Sequence, residues 1–150
     1  MPTRLFLLLL LLASGLPAHA EPVVVMAARQ TSERLSREEV TNIFLGRYRA
    51  LASGLPAQPI DQPPSSPLRG AFYQLLVNKD TASINAYWSR LHFSGKATPP
   101  LQASEESEVI RQLLNIPGAI AYVDRKQVDE RMRIVFEFMP RATRESRAEP

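Results

Sequence analysis

Ser65, Ser66 and Arg69 are the residues whose types and spacing could do chemistry here. They sit at the start of a helix in the stretch Pro63-Pro64-Ser65-Ser66-Pro67-Leu68-Arg69-Gly70-Ala71-Phe72. Ser66 suits an N-cap, and Pro67 suits the first helical position, where a missing N–H costs nothing. Arg69 is a cation in the first turn, which the helix dipole disfavours by roughly 0.3–1 kcal/mol. Two hydroxyls, unbonded backbone N–H groups and a guanidinium together would suit an oxyanion. The same spacing also describes an ordinary capped helix with a solvated arginine, so both readings stand at this point.

Other chemistry finds less support. Only His19 and His92 are present. His92 falls at a helix end beside Phe93 and reads as a cap or surface residue. Ser65 or Ser66 as a nucleophile would need a positioned base, and no triad is visible. No metal-ligand spacing, P-loop or dinucleotide fingerprint occurs, so no cofactor is expected and the chain does not read as an enzyme.

The elements that must position the site follow from patterning. Residues 1–20 read as a signal peptide, with Arg4, an apolar run over 5–12, and Ala18-His19-Ala20 as the cleavage site. Cleavage after Ala20 would leave 21–150 with no membrane span and a periplasmic location; an uncleaved anchor is the alternative. Residues 21–139 read as one domain and 140–150 as a disordered tail. The formal charge is +3 for 150 residues, with basic residues scattered, so no case for nucleic acid arises. With no cysteine, stability must come from packing.

Val23-Val24-Val25-Met26 predicts a buried strand. Ser36 and Glu39 form a capping box for a helix with Val40, Ile43 and Phe44 inward, stopped by Gly46. Arg47, Tyr48 and Arg49 fall on a loop, and Gln58–Asp61 is a short strand. Helices follow over 66–77, with Leu68, Phe72, Leu75 and Leu76 on one face, and over 81–91, with Ile84, Tyr87, Trp88 and Leu91 inward. A fourth, capped by Ser104, turns Val109, Ile110, Leu113 and Leu114 inward. Residues 119–123 predict a buried strand. Residues 133–138 predict a last one, alternating Ile134, Phe136 and Phe138 against Val135 and Glu137. Interleaved strands and helices imply an α/β fold, a mixed sheet of about four or five strands flanked by about four helices. Ligands of such sheets lie where strand C-termini meet helix N-termini, as the Ser66 stretch does.

Three segments add a resemblance. Residues 35–47, Leu-Ser-Arg-Glu-Glu-Val-Thr-Asn-Ile-Phe-Leu-Gly-Arg, look like the "leucine-serine … isoleucine-phenylalanine-x-glycine-lysine" segment of phosphate-type (type II) periplasmic solute-binding proteins. Residues 65–72 resemble the serine-glycine-threonine helix start that binds phosphate in that family. Gly118-Ala119-Ile120-Ala121-Tyr122-Val123 is similar to its glycine-alanine-isoleucine-glycine-tyrosine-valine strand. The resemblance spans about residues 23–138 and implies one lobe of that normally two-lobed fold. It implies weak binding of phosphate or a similar oxyanion through Ser65, Ser66 and Arg69, in connection with ABC-type uptake. Departures are Pro67 and Leu68 for glycine and threonine, and Ala121 for glycine. The alternative is a ligand-free module that kept the fold and meets an envelope protein partner.

Overall fold

The computed structural model describes residues 19–30 and 33–139. The predicted leader, apart from His19 and Ala20, and the predicted tail lie outside the described residues.

Among the described residues, five strands and four α-helices follow one another: β1 (Pro22–Ala27), α1 (Arg37–Phe44), β2 (Gln58–Asp61), α2 (Pro67–Val77), α3 (Thr81–Phe93), β3 (Leu101–Gln102), α4 (Glu106–Asn115), β4 (Ala119–Asp124) and β5 (Met132–Glu137). The strands form one mixed sheet in the order β3-β2-β4-β1-β5. β2 runs parallel to both β3 and β4, while β1 is antiparallel to β4 and β5.

Helices cover both faces of the sheet. Period-two alternation sends Val24, Met26, Ile120 and Tyr122 to one face, under α1, α2 and α3. Val23, Val25, Ala119, Ala121 and Val123 face the other side, beneath Val109 and Leu113 of α4. Alanines on that face let one helix lie close to the sheet. The larger face carries an aromatic centre, in which Phe72 stacks on Tyr122 with ring centroids 3.7 Å apart and Phe44 meets both edge-on.

Several predicted helix ends are corrected by the partners their side chains find. Ser66 holds the N-cap position of α2 but makes no side-chain cap bond. Ser104 does not cap α4; Glu105 holds that position, and the Ser104 hydroxyl and N–H both bond to Glu108 Oε2. α3 extends through Phe93, and its cap is Asp80, whose carboxylate accepts from Ser83 N–H. Leu75 is only half-buried, although Leu68, Phe72 and Leu76 face inward as expected.

The last strand departs most from its pattern. Pairing with β1 jumps from Val24↔Phe136 to Val25↔Ile134, leaving Val135 as the extra residue of a β-bulge. Ile134 therefore packs on the α4 side, while Val135, Phe136 and Phe138 pack on the other. The capping box on α1 is as predicted, with Ser36 and Glu39 exchanging both bonds. Gly118, at φ +74°, leads into β4, and a Cβ there would lie 1.9 Å from the carbonyl oxygen of Pro56. Only glycine allows that approach.

Candidate functional site

β2 delivers Asp61 to the point where the sheet meets α2. Its side chain is 4% exposed, and the Arg69 side chain, in the first turn of α2, is 3% exposed. Arg69 Nε donates to Asp61 Oδ2 at 3.0 Å. The same oxygen accepts from the Tyr73 hydroxyl at 3.3 Å. Asp61 Oδ1 accepts from Gln62 N–H at 3.0 Å and, at closer range, from the Tyr122 hydroxyl. A carboxylate offers about four acceptor positions, so all of them are used.

This arrangement is an internally neutralised centre. Two buried charges cancel, and the remaining lone pairs receive hydrogen bonds, which is the condition under which a buried ion pair is tolerated. Burial, followed by the Asp61 charge, raises the Tyr73 hydroxyl well above its ordinary ionisation range. The Tyr122 hydroxyl is raised for the same two reasons in the same order. Both therefore remain O–H donors. Arg69 also lies over the Tyr73 ring, 5.4 Å from its centroid, and donates through Nη2 to Asn85 Oδ1 at 3.0 Å.

The three sequence-predicted residues do not converge as a set. Ser65 is exposed. The Ser66 hydroxyl donates to Glu106 Oε1 at 3.3 Å, across to the start of α4. Arg69 turns inward to Asp61. Backbone donors are also few at this helix start: Pro67 has none, and the Arg69 N–H is bonded to the Ser66 carbonyl. The acceptor oxygens that an external oxyanion would bring to Arg69 and Ser66 are supplied by Asp61 and Glu106.

Arg69 does border a small concavity of about 250 Å³, shared with Asn85, Trp88, Pro100 and Gln102. Its Nη1 makes no hydrogen bond among the described residues. Sequence reasoning passed over Tyr73, which falls outside the expected stripe of Leu68, Phe72, Leu75 and Leu76, and Tyr122, which falls within a predicted buried strand. Only their hydroxyls, beside a carboxylate at a strand end, could have signalled a polar centre. Among the described residues there is no cluster of three or more metal-ligating side chains, and no helix is long and apolar enough to cross a membrane.

No family profile and no curated protein matches the chain. Solved structures do. An ABC-type phosphate transport receptor from Vibrio cholerae superposes with a TM-score of 0.60 at 14% identity, covering 77% of this chain and 45% of that one. PstS from Borrelia burgdorferi superposes with a TM-score of 0.58 at 14% identity, covering 85% of this chain and 52% of that one. The fold is thus a periplasmic-binding-protein-like α/β unit, and the chain spans about half the length of these structures. The first is by name a transport receptor.

Proposed function

We propose that this chain is a single-lobe, binding-protein-like domain of the periplasm that acts by meeting a protein partner and does not hold free phosphate at the Ser66 helix start. One observation carries the reading: Arg69, the cation an oxyanion would need, is buried against an Asp61 carboxylate whose acceptor positions are filled. An incoming phosphate would have to displace a buried carboxylate bonded to four donors, each bond to a charged group contributing about 1.5–3 kcal/mol. The periplasmic placement rests on the leader-like character of residues 1–20.

A second reading is favoured by the Arg69 Nη1 donor beside the concavity it shares with Asn85 and Gln102, together with the fold shared with a phosphate transport receptor. In that reading phosphate is held weakly, with a Kd on the order of millimolar, equivalent to about −4 kcal/mol. An open half-site lacks the second wall that would exclude water and strengthen its contacts.

Calorimetric titration of the purified protein with phosphate at low salt separates the two. No saturable heat up to several millimolar is expected. Saturable binding that Ser66→Ala or Asn85→Ala removes would overturn the interaction reading in favour of the oxyanion one. Asn85→Ala keeps the buried Asp61–Arg69 pair, so loss of binding there would not reflect unfolding.

A further inference from the structure

The outer side of α3, the turn before it and the end of α1 enclose an open groove of about 650 Å³ with mostly apolar walls. Of its lining, Leu45 and Ile84 are buried and Val77 and Tyr87 half-buried, forming its floor, while Arg47, Lys79 and Arg90 are exposed at its edges. No aspartate or glutamate lines it. The neighbouring Asp80 carboxylate is turned back onto the Ser83 N–H at 2.8 Å as the cap of α3. The Tyr87 hydroxyl donates to the Leu45 carbonyl at 2.7 Å, so its polar end is used within the fold. Arg47 has one long bond, to Asn42 Oδ1 at 3.3 Å. Lys79 and Arg90 form no ion pair among the described residues.

We propose that this groove seats an acidic amphipathic helix of a partner protein, an inference that rests on the interaction reading above. The geometry of α3 sets the scale: thirteen residues give a wall about 20 Å long, enough for a three- to four-turn helix alongside. An apolar floor between cations fits a helix whose i, i+3, i+4 and i+7 positions are apolar and whose flanks carry carboxylates. Charge complementarity of this kind fixes orientation and speeds encounter. The groove also selects among occupants. Residues 140–150 offer only Ala142 and Ala148 besides prolines as apolar residues, so the chain's own end has no apolar face for the floor. A bilayer surface is too flat to reach the floor of a concave groove.

The test is photo-crosslinking in the producing cell, with the full chain carrying a benzophenone side chain at Ser83, in the groove, or at Ser107, on the opposite layer. Crosslinked segments are then sequenced by mass spectrometry. The expected result is capture from Ser83, and not from Ser107, of segments with apolar residues at helical spacing flanked by Asp or Glu. The combined variant Arg47→Glu, Lys79→Glu, Arg90→Glu should reduce capture roughly tenfold with an unchanged melting temperature, since each exposed charge contributes modestly. Capture of lipid, of a second copy or of basic segments would overturn the proposal, as would no capture above the Ser107 control. Saturable phosphate binding with acidic-helix capture intact would instead remove only the reading that the domain takes no phosphate.

Discussion

The Asp61–Arg69 centre and the rim of the α3 groove use the same kinds of side chain in opposite circumstances. Inside, one arginine meets one carboxylate in a buried setting, with two tyrosine hydroxyls and a backbone N–H completing the shell. Outside, three cations surround apolar surface and face no carboxylate in the groove. Charge that is satisfied within the chain holds the fold; charge left facing outward is available to something else. The contrast supports a structural role for the predicted anion site and puts the proposed recognition role at a separate groove.

The largest expected effect comes from breaking the inner pair. Asp61→Ala would leave Arg69 buried without its counter-charge and should lower unfolding free energy by about 3–5 kcal/mol, read from denaturant midpoints. Adding Arg69→Ala should cost less than the sum of the two single changes. The expected coupling is about 1–3 kcal/mol in a double-mutant cycle.

Alkaline titration comes next. Both tyrosine hydroxyls keep their protons in the folded chain beyond the ordinary value of 10.0, where they ionise in the unfolded chain. The unfolded state then binds fewer protons, so stability is fully present below about pH 10 and falls as pH rises further. The slope should reach about 1.4 kcal/mol per pH unit for each tyrosine, and Tyr73→Phe should remove one tyrosine's share. At neutral pH that substitution should cost about 1 kcal/mol, for one lost hydrogen bond. The smallest effects belong to the groove. Arg47→Glu, Lys79→Glu and Arg90→Glu should each change stability by no more than about 0.5 kcal/mol. A larger loss from any of them would mean that the outer charges also serve the fold.

How much of this was legible in the sequence depended on how local each cause was. The α1 capping box lies within four residues and reads directly. The buried runs of β1 and β4 read because strands covered on both faces leave continuous apolar stretches. Ser66 and Ser104 misled as caps because their hydroxyls found carboxylates instead: Glu106, forty residues on, and Glu108. β3 has only two residues and exists through its pairing with Ile60 and Asp61, so no period could reveal it. The alternation in β5 failed at Val135, where the bulge inserts a residue that only the β1 register shows. The Arg69–Asp61 contact joins residues eight apart across a proline loop. Composition placed both near a helix start, but only the folded loop decides which way a guanidinium turns.

The place of β1 in the sheet has a kinetic consequence. Val24 pairs with Tyr122 on one side and Phe136 on the other, so the first strand made is completed by the last two. Its loops must close over most of the chain before any ladder bond forms, and such non-local pairing slows folding toward milliseconds to seconds. An emerging chain cannot finish the pairing of β1 until β5 is free to join.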